Sequence, residues 1–342
     1  MHILIIGGTR FTGPYIIKNL HAEGHQVTIF HRGQTKASLP EGTREILGNR
    51  DQLLQHTDIF KHLEPDVVLD MMATTEKQAQ AFLSVFAGIA RRAVVISSQD
   101  VYRAFGRVNG HEEGEIDLSP ITEDAPLREH LYPYRGEIPR NPDDSQYWMD
   151  DYDKILVERI VMGSPALPAT VLRLPAVYGP LDFQHRMFPY LKRMQDGRST
   201  ILLEEKEARW RWTHGYVENV ADAITLAITD ERASGHIYNV GESFALSLTK
   251  RVEQIAQAAH WHGSIVTLPA ERVPESMRWG INADQHIIVD TSRLRRELGY
   301  SERIDLSEAF HRTIAWESAN PPAQIDASMF DYQAEDQAVV DL

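Results

Sequence analysis

The sequence predicts an α/β fold built on a doubly wound parallel sheet, and three observations carry that prediction. The chain opens with an apolar run, His2–Ile6, that breaks at Gly7-Gly8 and leads into a helix-like stretch. Strand-like and helix-like segments then alternate through the first half. A further apolar strand, Ala169–Leu174, follows a helix-like run over 146–162. Such alternation buries a parallel sheet between two layers of helix.

Each element has its own signal. His2–Ile6 is short, isoleucine-rich and apolar throughout, the pattern of a strand covered on both faces. Residues 14–21 carry Ile16, Ile17 and Leu20 at helical spacing, so this helix lays one face on the sheet. Between them runs Gly7-Gly8-Thr9-Arg10-Phe11-Thr12-Gly13. Gly7 permits a tight turn and Gly13 lets the helix approach the strand. A dinucleotide pyrophosphate then sits against the free N–H groups of the helix start. The turn's place after a strand and before a helix makes the signal strong. Arg10 holds the position of the middle glycine in a G-x-x-G-x-x-G spacing. Its side chain either points away as a solvated turn arginine or reaches over the phosphates as a cation.

Residues 26–30 form a second strand ending in His31-Arg32-Gly33, and Arg44–Leu47 a shorter third. Residues 66–70 and 92–97 are the fourth and fifth strands, with a helix over 77–90 between them. The polar stretch 103–144 reads as a long functional loop over the sheet edge. In the second half 187–194, 217–228 and 246–259 read as helices, 237–240 as a strand and 305–318 as the final packed helix. From Asn320 the chain is polar and acidic and is expected to be mobile or loosely docked.

At 342 residues the chain is long enough for two lobes. No run approaches the roughly 18 apolar residues of a membrane span, and the short apolar start lacks a basic leader. The absence of cysteine excludes disulfides and thiolate chemistry and fits a cytoplasmic protein. A formal charge of −14 argues against general affinity for nucleic acid. The 15 histidines show no paired metal-binding spacing, so no metal is expected.

The segments, in order, resemble the extended and atypical short-chain dehydrogenase/reductases, the superfamily of the NAD-dependent epimerases and dehydratases. The matching stretches begin with Gly7 to Gly13, Val95-Ile-Ser-Ser98-Gln-Asp-Val-Tyr102, Thr122-Glu-Asp-Ala-Pro126 and Lys154-x-x-x-Glu158. They continue with Leu172-Arg173-Leu-Pro-Ala-Val-Tyr178-Gly179-Pro180, the run from Tyr216 to Ile224, Tyr238-Asn-Val-Gly241 and the run from Asp290 to Tyr300. The resemblance implies a Rossmann domain over 1–180, rejoined by 213–241. It implies a smaller C-terminal substrate lobe over 181–212 and 242–318; the acidic tail, 319–342, lies beyond the matching stretches. It also implies a homodimer through the helices over 77–90 and 146–162. The G-G-T-R-F-x-G form is similar to the chloroplast stem-loop-binding proteins too, which supplies an RNA-binding alternative that the acidic balance disfavours.

Cofactor choice is read at the end of the second strand, where a carboxylate would favour NAD. His31 and Arg32 stand there instead. Arg32 either pairs with the ribose phosphate of NADP or is an exposed arginine with NAD bound, and NADP is the expected cofactor. Gly7, Thr9, Arg10, Phe11, Thr12, Gly13, His31 and Arg32 are the candidate cofactor contacts.

The resemblance implies a Ser/Thr–Tyr–Lys site in which Ser98 holds the reacting oxygen and Lys154 binds the nicotinamide ribose. The tyrosine expected four residues before Lys154 is absent; Asp150 stands there. On a continuous helix Asp150 and Lys154 share a face, either as an ion pair or with Asp150 as proton acceptor. Tyr152 falls on nearly the opposite face, and Tyr147 is about 10.5 Å along the axis. Neither replaces the missing residue without a bent helix, although Tyr147 remains a candidate substrate contact. On the substrate side, Arg209-Trp210-Arg211-Trp212 suits a phosphate with a ring stacked nearby, or else simple surface packing. Arg186 and Arg211 are the candidate substrate cations. The function expected is an epimerase-, dehydratase- or reductase-like enzyme on a nucleotide-sugar or related hydroxyl or carbonyl substrate. A dinucleotide-binding sensor without turnover is the other reading.

Overall fold

The computed structural model describes residues 1–35 and 37–340. In chain order it holds β1 (His2–Ile6), α1 (Thr12–Ala22), β2 (Gln26–His31), β3 (Arg44–Leu47), α2 (Thr57–Leu63) and β4 (Val67–Asp70). There follow α3 (Glu76–Phe86), β5 (Arg92–Ser98), α4 (Arg103–Val108), α5 (Lys154–Met162), β6 (Ala169–Leu174), β7 (Ala176–Tyr178) and α6 (Phe188–Gln195). The second half adds β8 (Thr200–Glu204), α7 (Glu205–Arg209), β9 (His214–Tyr216), α8 (Val217–Thr229) and β10 (Ile237–Asn239). It ends with α9 (Leu248–Ala258), β11 (Ser264–Leu268), α10 (Ser292–Leu298), α11 (Leu306–Ala319) and α12 (Tyr332–Val339).

Seven strands form one parallel sheet in the order β10-β6-β5-β4-β1-β2-β3. Along β1 the side chains alternate between the two faces, as a pleated strand requires. Ile3 and Ile5 pack with Ile16 and Ile17 of α1 and Ile224 of α8. Leu4 and Ile6 face Phe60 of α2, Phe82 of α3 and Val157 of α5. The chain leaves β1 toward β2 on one side and returns through β4 on the other. The crevice at that reversal is where such sheets bind ligands.

β7 pairs with β9, and β8 pairs with β11, as two small parallel sheets outside the main one. β8 and β11 lie with α6, α7 and α9 beyond the carboxyl edge of the main sheet. The sequence gives little sign of β7, β8, β9 or β11, because strands of three to five residues carry too few positions for a period.

Two expectations need correction. The helix over 146–162 is broken: Tyr147–Asp151 is a separate 3₁₀ turn and α5 starts only at Lys154. The tail is not loose over its described part. Glu335 of α12 forms a buried ion pair with Arg193 of α6 at 2.8 Å, Tyr332 donates to Asp196 at 2.5 Å, and Arg272 donates to the Ala338 carbonyl. Ala338 and Val339 cover Leu202, Leu268 and Val273. Acidic composition led to the wrong expectation because the tail's partners are arginines brought together only by folding. Glu335→Ala strands the Arg193 guanidinium and is expected to cost about 3 kcal/mol. Limited proteolysis checks it: the variant is cut within 320–340 at protease levels that leave the parent whole.

Candidate active site

The carboxyl edge of β1 opens into the glycine turn, where Gly7 and Gly8 have φ of 92° and 85°. A Cβ on Gly13 would lie 2.2 Å from the Gly8 carbonyl oxygen, so only glycine lets α1 meet the turn. Phe11 holds φ 49° and ψ −106°, a strained conformation for a side-chain-bearing residue. The α1 N-terminus has no side-chain cap and no acidic residue in its first turn. Its N–H groups are therefore left for an anion, and the residues present fit a dinucleotide pyrophosphate.

Around this cradle the candidate contacts separate. Arg10 Nε donates to Thr35 Oγ1 at 2.9 Å, so the arginine spans from the phosphate turn to the loop after β2. Arg32 is exposed on the same loop and forms no ion pair among the described residues. His31 is turned away: Nδ1 accepts the Gly33 N–H at 3.2 Å, and Nε2 donates to Glu45 at 2.8 Å. Its ring braces the loop. Thr9 is half-buried and Thr12 buried at the helix start.

At the carboxyl end of β5, the Ser98 hydroxyl accepts the Asp100 N–H at 3.2 Å, and the Tyr152 phenol bonds the carboxylate of that same Asp100. Lys154 is buried and donates to the carbonyls of Ala73 at 2.6 Å and Ile96 at 2.8 Å. It ties the ends of β4 and β5, leaving one N–H for a ligand. Burial pulls its pKa down to about 8, against the pull of Asp100 and Asp70. The folded pKa lies below the 10.5 of free lysine, so the unfolded chain binds more protons between the two. This group's contribution to stability therefore rises as pH climbs from about 8 to 10.5. Urea midpoints of the parent and Lys154→Met are expected to diverge in the parent's favour across that window; a constant difference contradicts it.

Asp150 does not meet Lys154. Its carboxylate accepts the Arg140 N–H at 2.7 Å and pairs with the Arg140 guanidinium, contacts that hold it below the usual carboxylate range. The shared helical face was an artefact of assuming one continuous helix. Tyr147 is exposed on the 3₁₀ turn.

The break places Tyr152 where the unbroken helix would not. Asp153, fully buried, caps α5 by accepting the Ile155 N–H at 2.8 Å, and its other oxygen accepts the Tyr132 N–H at 2.7 Å. Tyr152 is thereby extended, with ψ 121°, and its hydroxyl donates to Asp100 Oδ2 at 2.7 Å. Tyr134, from the long loop, donates to the same oxygen at 3.0 Å. Burial raises the Asp100 carboxyl pKa, opposed by both phenols and by Arg128. The sequence signal for this break was Asp153 itself, a capping residue directly before an apolar helical run.

A second cavity, of about 270 Å³, lies between α6, α9 and the small β7–β9 sheet. Trp210, Trp212 and Trp279 line it, with Arg186 and Arg251. Arg186 is pinned by Asp182 at 3.1 Å and by the Val177 carbonyl at 3.0 Å. Arg251 is buried with both terminal nitrogens unbonded among the described residues, 3.9 Å from Glu242. His214, its pKa driven well below 6.5 by burial and then by Arg251, donates from Nδ1 to the Trp212 carbonyl and keeps Nε2 as an acceptor. Arg211 is not in this cavity; its Nε donates to the Ala245 carbonyl and it lines a separate cleft with Phe244 and Asp290. Strand-like alternation sends the two tryptophans one way and the arginine between them the other. Arg251 and Trp279 carried no local motif and went unrecognised in the sequence.

This glycine turn on a seven-stranded parallel sheet defines a dinucleotide-binding protein of the extended type. The chain belongs to the NAD dependent epimerase/dehydratase family, whose profile matches residues 3–115 and 129–241. It is 25% identical over 313 residues to a 2'-dehydrokanamycin reductase of Streptomyces kanamyceticus, covering 89% of this chain and 79% of that one. Among solved structures it resembles a UDP-glucose 4-epimerase of Thermotoga maritima with UDP-glucose, at TM-score 0.68 and 17% identity, over 93% of this chain and 99% of that one. It also resembles a Bordetella bronchiseptica enzyme in complex with NAD and UDP, at TM-score 0.66 and 17% identity, over 94% and 96% of the two chains. Among the described residues no helix is long and apolar enough to cross a membrane.

Proposed function

We propose that this chain is an NAD(P)-dependent epimerase-, dehydratase- or reductase-like enzyme acting on a hydroxyl or carbonyl group of a nucleotide-sugar or related substrate. The observation that carries the reading is the grouping of Ser98 and Lys154 at the same sheet edge as the uncapped start of α1. Bound there, the nicotinamide supplies hydride chemistry. The chain's own residues hold the pyrophosphate, position the reacting oxygen at Ser98 and fix the strand ends through Lys154. The tryptophan-lined cavity suits a base or sugar ring, and the unbonded guanidinium of Arg251 suits an anionic oxygen beside it. The relatives named for UDP-sugars support that substrate class.

NADP is the cofactor this reading favours, because Arg10 and Arg32 border one loop at the end of β2 and no acidic side chain occupies 31–33. Arg10→Ala and Arg32→Ala are each expected to weaken NADPH about 10-fold while changing NADH less than about 2-fold, the size of one charge-assisted hydrogen bond. Fluorescence titration of ligand-stripped protein measures both. Product analysis on a panel of UDP- and dTDP-sugars tests the reaction. Absence of binding to either coenzyme, or binding with no product from any sugar, overturns the reading.

A further inference from the structure

The bend before α5 brings a phenol to the sheet edge two positions ahead of Lys154, although the usual position holds Asp150. We propose that Tyr152 is the proton-transferring residue of this active site and that Asp100 stands behind it as the proton's store. This rests on the redox reading above and assigns a residue that the reading leaves open.

The geometry that supports the assignment is local and specific. Tyr152 and Ser98 both bond Asp100, Tyr152 through its carboxylate and Ser98 through its backbone N–H, and Ser98 is the group that would hold a reacting oxygen. Its ring centroid is 6.0 Å from Lys154 Nζ. Its own proton points at Asp100 Oδ2, 2.7 Å away. A phenol already donating to a carboxylate is a poor base by itself. It accepts a proton only by passing its own onward, and Asp100 is placed to receive it. Asp100 Oδ1 is buried with no hydrogen-bond partner among the described residues, so this carboxylate is under-solvated and readily takes a proton. The groups facing the pair are Tyr134, Arg128, Lys154 and Ser98. The two cations nearby oppose protonation of Asp100, and burial favours it.

In the alcohol-oxidising direction, a nicotinamide held at this edge would take the substrate C–H electron pair as hydride. The hydroxyl proton passes to the Tyr152 oxygen as the phenol's proton moves to Asp100 Oδ2. The C–H and O–H bonds break, a carbonyl forms, and Asp100 ends neutral. Carbonyl reduction runs the same path backward, with Asp100 resupplying the phenol. The Asp153 cap keeps Tyr152 in register, since these two residues alone separate the 3₁₀ turn from α5.

Two readouts test the assignment on the full chain. The first needs no cofactor: tyrosinate absorbance is followed against pH in the parent and in Asp100→Asn. Removing the buried charge is expected to bring the ionisation of the two phenols that donate to it to lower pH. The Tyr152 component should vanish in Asp100→Asn/Tyr152→Phe and persist in Asp100→Asn/Tyr134→Phe. No movement, or movement that belongs to Tyr134 alone, overturns the coupling. The second is turnover on the sugar panel. Tyr152→Phe should lower kcat by at least about 100-fold with NADPH affinity kept, and Asp100→Asn should shift the pH profile of kcat. A Tyr152→Phe enzyme within about 3-fold of the parent overturns the assignment and leaves the redox reading standing. A parent that converts no substrate overturns that reading, and the assignment falls with it.

Discussion

Replacing Arg173 by methionine is expected to destabilise the protein by about 3–5 kcal/mol, the cost of leaving a buried carboxylate without its cation. Arg173 on β6 pairs with Glu158 of α5 at 2.7 Å, and neither side chain is more than 5% exposed. The same guanidinium donates to the Glu123 carbonyl at 2.8 Å and to the Tyr102 hydroxyl at 3.0 Å. Ser97 of β5 donates to the other oxygen of Glu158. One side chain thus joins β6, α5 and the loop beyond β5. The variant's urea midpoint should fall with an unchanged slope. The double variant Arg173→Met/Glu158→Leu should recover most of the loss, because an apolar pair of similar volume has no stranded charge. A double variant no better than the single would place the cost in packing.

The second large effect falls on ligand binding. Gly13→Ala should weaken NADH and NADPH together by about 100-fold, equivalent to losing about 3 kcal/mol of anion contacts at the turn. The new methyl carbon would sit 2.2 Å from the Gly8 oxygen and 2.4 Å from its carbonyl carbon, both backbone atoms that cannot rotate aside. The turn must open, and the N–H groups at the start of α1 then no longer converge on the pyrophosphate. Calorimetric titration of the variant with both coenzymes measures the loss. Affinities within about 3-fold of the parent contradict the cradle. Arg10→Ala provides the contrast, since its effect should be confined to the phosphorylated coenzyme.

Much of the frame was legible in the chain. β1, β3 and β6 match the predicted ranges, and β2, β4, β5 and β10 differ by one residue at an end. The edge strand β3 apart, these strands are largely buried on both faces, so their signal is a continuous run that needs no register. The glycine turn was legible for a similar reason, because its residues act within one short segment. The active-site details were not. Asp150 and Lys154 are four apart in sequence, but the extended Tyr152 and Asp153 put them on separate helical elements. Trp210 and Trp212, Arg251 and Trp279 meet in one cavity from three places along the chain, with no spacing to announce it.

The tail shows the same division. Its acidity is written in the composition, but its docking depends on Arg193 and Arg198 of a distant segment. Local sequence therefore settled the fold class, the strand order's raw material and the glycine turn, because backbone preference and hydrophobic period act over a few residues. Tertiary structure alone decided which phenols meet Asp100, which arginines face the cavity and whether the tail docks. Those outcomes turn on caps, bends and charge pairs between residues far apart, whose energies exist only once the chain has brought them together.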